Sequence, residues 1–320
     1  MTASSPNGIT VSLEELIGLR AQGIGLSLAA GCGSTGPMSG AYRSVFRGRG
    51  MDFEEVRAYQ PGDDIRRMDW RVTARSNRPH TKLFREERER PVLLCVDSGA
   101  SMRFGTRVAF KSVQAARLAA LLGWAALENQ DRIGTLIFSG ADSWESRPAG
   151  GKRALLRCLQ LLAAASVSDP ATERIASLYD TVLRLRHLAR HGCLVILISD
   201  FAGLDAAAEQ QLAALAQHNE VLAIRIFDPL EAELPPPDQY AFSDGRHIHT
   251  LWTADTALRS KYRNEFQARS EHLATLCRER GIHWLSLSTE QDPAVELQRY
   301  LPHVRHRSYS LRRAADAAAL

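Results

Sequence analysis

Two aspartates stand where apolar runs stop: Asp97 closes "PVLLCVD" and Asp200 closes "GCLVILISD". Carboxylates at the ends of buried segments can do two kinds of work. They can accept backbone N–H bonds and cap the helices that follow, or, brought together, they can share a cation. Either aspartate alone reads as a cap, whereas two on separate strand ends favour a site. Asp97, Gly99 and Ser101 share one side of the chain if the segment stays extended, because side chains alternate along a strand.

A second concentration of chemistry is "YQPGDDIRRMDWRVTARSNR" (59–78), where three aspartates and five arginines crowd around one tryptophan. Pro61-Gly62-Asp63-Asp64 is a turn whose carboxylates can take backbone N–H bonds. Arg66, Arg67 and Arg71 lie close to Asp63, Asp64 and Asp69, and guanidinium forks suit bidentate carboxylate pairing. The spacing predicts a structural ion-pair network, partly buried under Trp70 and Tyr59, that docks this segment on the rest of the chain. The alternative is a metal-dependent phosphoester hydrolase with Asp63, Asp64 and Asp69 as ligands. The neighbouring arginines weigh against it, since they would neutralise those carboxylates. A phosphate-tracking stripe from Arg43, Arg47, Arg49, Arg75, Arg78 and Lys82 is weakened by the acids interleaved with it, so no nucleic-acid partner is expected.

Other chemistries fail on spacing. "AGGKR" (149–153) lacks the spacing of a phosphate loop, and there is no G-x-S-x-G elbow. His187 and His191 are four apart, but Leu188 fills the slot where a zinc protease motif needs glutamate. The five cysteines show no C-x-x-C pair, and Cys95, Cys158 and Cys193 sit in apolar runs as small buried hydrophobes.

The elements that must position Asp97 and Asp200 alternate in type. Strands are expected at 91–97, 131–140, weakly around "SWESRPA", and at 192–200, 220–228 and 282–288. Helical patterns fall near 106–128, 151–165, 173–190, 205–218, 254–280 and 291–301, with a hairpin around Asp244-Gly245. Such alternation predicts an α/β fold, a doubly wound and mostly parallel sheet with helices on both faces. Its working site lies beyond the carboxyl ends of the strands. The chain divides into residues 1–40, a helix capped by Ser12 with Glu15 three residues on, then flexible loop; 41–90, the Arg/Asp-rich segment; 91–302, the α/β domain; and 303–320, a basic then Ala-rich tail.

Asp97-x-Gly99-x-Ser101 after the first strand, with Asp200 after a later one, resembles the metal-ion-dependent adhesion site of von Willebrand factor A domains. That resemblance implies Mg²⁺ held by Asp97, Ser101, Thr172 and Asp200, with one position open for a partner's carboxylate. The sequence departs from the motif at Gly99, which brings no hydroxyl. A metal-free variant would rely on neighbouring hydroxyls and Arg103.

A more specific resemblance runs through residues 43 to about 140. "FRGRGMDF", "VRAYQPGDDIRRMDW" and "REERERPVLLCVD" look like the DUF58 family, bacterial proteins that join such a segment to a von Willebrand A-like domain. The resemblance implies a non-enzymatic adaptor that works with a MoxR-type AAA+ ATPase and a client protein, in chaperone-like remodelling or maturation of complexes. A net charge of +4 over 320 residues adds no argument for nucleic acid. The absence of a basic-then-apolar N-terminus and the reduced-cysteine pattern predict a cytoplasmic protein with no membrane insertion.

Overall fold

The computed structural model describes residues 8–26, 28, 51–59, 68–76, 78–86, 90–139, 142–167, 177–243 and 248–301. The chain divides into two compact units, residues 35–89 and the remainder. Its elements run α1 (Leu13–Gly18), α2 (Arg20–Ile24), β1 (Met51–Ala58), α3 (Trp70–Ser76), β2 (His80–Glu86), β3 (Pro91–Asp97), α4 (Lys111–Glu128), β4 (Arg132–Ser139), β5 (Asp142–Ala149) and α5 (Lys152–Val167). Then come α6 (Leu178–Leu188), β6 (Leu194–Ser199), α7 (Ala206–Ala216), β7 (Glu220–Phe227), α8 (Pro229–Ala232), β8 (Gln239–Ser243), β9 (Ile248–Trp252), α9 (Thr256–Glu279), β10 (His283–Ser288) and α10 over residues 293–301.

In the larger unit six strands form one sheet in the order β10-β7-β6-β3-β4-β5. All neighbours are parallel except β5, which runs antiparallel to β4 at the edge. This is the doubly wound sheet expected from the alternation of elements. The weak third strand falls at the edge for a physical reason: β5 carries Pro148, which cannot donate to a ladder and is tolerated there. Gly134 of β4 makes room for it, since a Cβ at Gly134 would come within 2.9 Å of the Pro148 ring. The register shifts at that point.

Strand alternation divides the core. Val92, Leu94 and Val96 face one apolar layer with α4, α5 and the N-terminal helices, while Leu93 and Cys95 face another with α6, α7 and α9. Residues 8–26 belong to the first layer, to which Val11, Leu16 and Leu26 contribute buried side chains. The Gly8 carbonyl accepts from Phe110 N–H at 2.7 Å, and Trp124 Nε1–H donates to the Leu16 carbonyl at 3.0 Å. Ser12 caps α1 as expected, accepting from Glu15 N–H at 3.1 Å. The Glu15 carboxylate engages Arg117 at 2.7 Å.

Helix α4 starts at Lys111, five residues after the sequence pattern suggests. Residues 104–110 are held as a loop instead, because Lys111 N–H donates to the Phe104 carbonyl and Thr106 is drawn to Asp228.

The smaller unit contains the antiparallel pair β1–β2, with a bulge between Phe53 and Glu55, and α3. Asp69 caps α3: its Oδ1 accepts from Arg71 N–H at 3.0 Å and Val72 N–H at 3.2 Å. Trp70 is 67% exposed, so it does not roof a buried charge network as the sequence suggested. A first-turn residue one step after the cap points outward here, whereas the expectation assumed it faced the arginines. Asp63, Asp64, Arg66 and Arg67 lie outside the described residues.

Candidate functional site at the carboxyl edge of the sheet

β3 and β6 are parallel neighbours, paired from Val92–Leu194 to Val96–Ile198, so their carboxyl ends deliver Asp97 and Asp200 to the same edge. Both aspartates are 7% exposed. Asp97 Oδ1 accepts from Gly99 N–H at 2.9 Å, and Oδ2 from the Ser199 hydroxyl at 2.6 Å. Ser199 in turn accepts from Phe201 N–H at 3.0 Å. Asp200 Oδ1 takes Ala202 N–H at 2.9 Å.

The other oxygen of Asp200 meets a cation the sequence reading missed. Lys111 Nζ donates to Asp200 Oδ2 at 2.8 Å and to Glu231 Oε1 at 2.7 Å, with only 1% of its side chain exposed. Glu231 uses its second oxygen to accept Asp228 N–H at 2.9 Å, closing a capping box on α8. Asp228, fully buried, accepts from Thr106 N–H and hydroxyl, Leu230 N–H and the Thr289 hydroxyl at 2.7–3.0 Å. The segments following β3, β7 and β10 are thereby tied around one ammonium and one aspartate.

A lysine in the first turn of a helix opposes the macrodipole, so its charge must be balanced by the carboxylates around it. A signal for it existed. Helix α4 is buried almost all round, and Lys111 stands in line with Ala115, Leu118 and Leu122 on one of its buried faces.

Burial and the nearby Asp200 charge push Asp97 up to about 7, against hydrogen bonds from Ser199 and Gly99 and the Lys111 charge. Burial alone would raise Asp200 too. The charge and hydrogen bond of Lys111, with donors from Ala202 and Ser101, carry it below the usual carboxylate range instead. The two carboxylates are therefore pushed apart, Asp97 towards its protonated form and Asp200 towards its ionised form.

The four positions implied for Mg²⁺ fare differently. Asp97 and Asp200 do converge, and Ser101 stands close enough to Asp200 to help hold its pKa down, whereas Thr172 lies outside the described residues. Gly99 is extended (φ −65°, ψ 175°), and a Cβ there would stand 3.1 Å from Asp97 Oδ1, so the motif's hydroxyl has little room beside it. A carboxylate oxygen keeps a second lone pair, so the hydrogen bonds alone leave space for an ion. The ammonium is the stronger obstacle. A divalent ion ~4 Å from it at an effective dielectric of ~20 is repelled by about 8 kcal/mol. As they stand, these side chains do not fit Mg²⁺.

The larger unit carries this edge, and no helix among the described residues is long and apolar enough to cross a membrane. Solved structures with a related outline include BatB from Bacteroides thetaiotaomicron (12% identical, 67% of this chain and 98% of that one, TM-score 0.43). An aerotolerance-related membrane protein from Bacteroides fragilis is 12% identical over 68% of this chain and 99% of that one, with a TM-score of 0.44. Among curated sequences, the uncharacterized protein Rv1480 of Mycobacterium tuberculosis is 32% identical over 267 residues, 83% of each chain. The uncharacterized protein MAV169 of Mycobacterium avium is 30% identical over 118 residues, 37% of this chain and 69% of that one. Residues 55–272 match the family described as "Protein of unknown function DUF58", which takes in the Arg/Asp-rich segment from Glu55 onward and most of the sheet with its Lys111 cluster. The chain belongs to the DUF58 family.

Proposed function

We propose that the protein is a non-enzymatic adaptor whose contact surface is the carboxyl edge of the sheet around Asp97, Ser101 and Asp200. It works with a MoxR-type AAA+ ATPase and a client protein, and it does so without a bound metal. The observation that supports this reading is the Lys111 cluster. A buried ammonium is held by Asp200 and Glu231, and Asp200 is one of the carboxylates that an adhesion-type site would give to an exchangeable ion. The loops around it are pinned through Asp228, so the surface is pre-organised for binding a partner. Asp69, the member of the alternative hydrolase triad that lies among the described residues, is engaged in capping α3.

The test is capture of the MoxR-type ATPase by the immobilised full chain. The ATPase is held nucleotide-free, so that chelation acts only on the adaptor. Capture equal in Mg²⁺ and in EDTA, and lost with Asp200→Asn, is expected. Capture abolished by EDTA would overturn the metal-free reading, and no capture under any condition would overturn the partnership.

A further inference from the structure

Strand β7 turns Val221 and Ala223 into the apolar layer under α9, and the next residue on that face is Arg225. It is 4% exposed. Its guanidinium carbon lies 4.5 Å from the centre of the Phe266 ring and 5.9 Å from that of Phe227, and Nη1 donates to Ser270 Oγ at 2.5 Å. Nε has no hydrogen-bond partner, and no carboxylate forms an ion pair with the guanidinium among the described residues. A buried charge without a counter-charge is costly, and burial duly lowers the pKa of Arg225.

Arg225 borders a cleft of about 150 Å³ between the carboxyl ends of β6 and β7 and helix α9. Arg269, exposed on α9, adds a second guanidinium to the wall, near enough for its charge to disfavour the protonated Arg225. It too forms no ion pair among the described residues. The acids on the wall offset the Arg225 charge only from a distance: Glu231 and Asp200 favour its protonated form, but neither bonds to it among the described residues. Asp200 and Glu231 are committed to Lys111, and Glu265 reaches Lys261 at 4.0 Å. Two neighbouring guanidiniums thus face a cleft in which, among the described residues, neither forms an ion pair with an acid of the wall.

We propose that this cleft is a carboxylate-binding site, in which Arg225 on the floor and Arg269 on the rim hold the acidic side chain of a partner protein. The inference rests on reading the carboxyl edge as the contact surface, and it names the chemistry of what binds there. A planar monoanion suits a guanidinium fork. Asp200, Glu231 and Glu265 on the same wall repel a phosphate dianion more strongly than a carboxylate. The volume admits the end of a side chain, whereas pockets for drug-sized ligands begin at about 300 Å³. The cleft adjoins the Lys111 cluster through Asp200 and Glu231, so a carboxylate seated in it lies beside the pinned loops rather than on a separate face.

The full chain labelled with ¹⁵N-arginine provides the test, because the Nε–Hε signal of Arg225, assigned by its disappearance in Arg225→Lys, reports directly on the unpartnered donor. N-acetyl-aspartate amide, which carries one carboxylate, should shift that signal saturably, and N-acetyl-asparagine amide should not. Arg269→Gln alters an exposed residue and leaves the fold alone. It should weaken the aspartate response about tenfold, the equivalent of one charge-assisted bond. No saturable shift, an equal response to the asparagine derivative, or a stronger response to inorganic phosphate would each overturn the proposal. ATPase capture by Arg269→Gln separates the two readings. Loss relative to wild type identifies the ATPase as the source of the carboxylate. A saturable aspartate response without any ATPase capture by wild type would sink the adaptor reading and leave the cleft.

Discussion

Replacing Lys111 by methionine removes the ammonium while keeping most of the side-chain volume. At 2.8 and 2.7 Å from its two acceptors, with an effective dielectric of ~20, the gross attraction is about 6 kcal/mol for each contact. Desolvation of three charged groups takes back most of it. The loss on substitution is set by what is left behind. Glu231, with a side chain 32% exposed, can relax towards water, but Asp200 at 7% cannot. The penalty is then that of one stranded buried carboxylate, about 3–5 kcal/mol at pH 7.

The pH dependence gives a second handle. In the wild type, Asp200 is held below its ordinary pKa, so it contributes stability that is present above that value and lost as pH falls through the folded one. In Lys111→Met the balance reverses: burial dominates, the folded pKa rises, and the carboxylate destabilises the protein as pH climbs. The gap between the two proteins therefore opens from about pH 4 upward. Urea unfolding at pH 4, 5.5 and 7 measures it. Asp200→Asn in the Lys111→Met background should recover at least about 2 kcal/mol relative to additivity. A loss below about 1 kcal/mol at pH 7, a gap that ignores pH, or additivity within about 0.5 kcal/mol would refute the reasoning.

Asp97→Asn tests the opposite shift. A carboxyl held at about 7 instead of 3.8 lets the folded state bind the extra proton, so wild-type stability falls as pH rises through that window, by about 4 kcal/mol in all. The asparagine variant should lack this slope, and parallel melting-temperature profiles from pH 4 to 8 would count against it. Asp228→Ala strands the donors of Thr106, Leu230 and Thr289 and should lower stability by about 2–4 kcal/mol, with faster hydrogen exchange at Thr106 and Leu230. Exchange unchanged at those amides would show that Asp228 does not tie the loops. Asp69→Ala should cost about 1 kcal/mol, as for a lost helix cap, with ATPase capture intact; a folded variant that has lost a phosphoesterase activity measurable in the wild type would revive the hydrolase alternative.

The centre of the sheet was legible because β3 and β6 are apolar runs that lead into aspartate, and the register of β3 against β6 then places Asp97 beside Asp200. Half of the site was legible for the same reason. The other half was hidden by averaging. Lys111 reads as one polar residue within the expected helix 106–128, and Arg225 as one charge in the expected strand 220–228; only their places on buried faces reveal that they are internal. Asp228 ends the expected strand 220–228 and Glu231 sits in the Pro/acid stretch after it, and their roles depend on contacts distant in sequence: Asp228 with Thr106 and Thr289 across 122 and 61 residues, Glu231 with Lys111 across 120. Trp70 misled in the other direction, since aromatic bulk beside arginines suggested cover where the chain leaves the ring in solvent.

An internal ammonium is not equivalent to a metal in the same place. A magnesium ion at such an edge keeps open coordination positions, and an incoming carboxylate can complete its shell. Lys111 has three donors, two already spent on Asp200 and Glu231, and a side chain only 1% exposed. No partner carboxylate can reach it without dismantling the cluster. Its position is also set by the buried face of α4 on which it stands, so the charge is in place from folding onward and does not follow the magnesium concentration. The cation therefore fixes the loops but cannot itself receive an acidic partner. If the edge still recognises an acid, the receiving charge has to stand beside the old position, and Arg225, buried and short of an acceptor for Nε, is placed there.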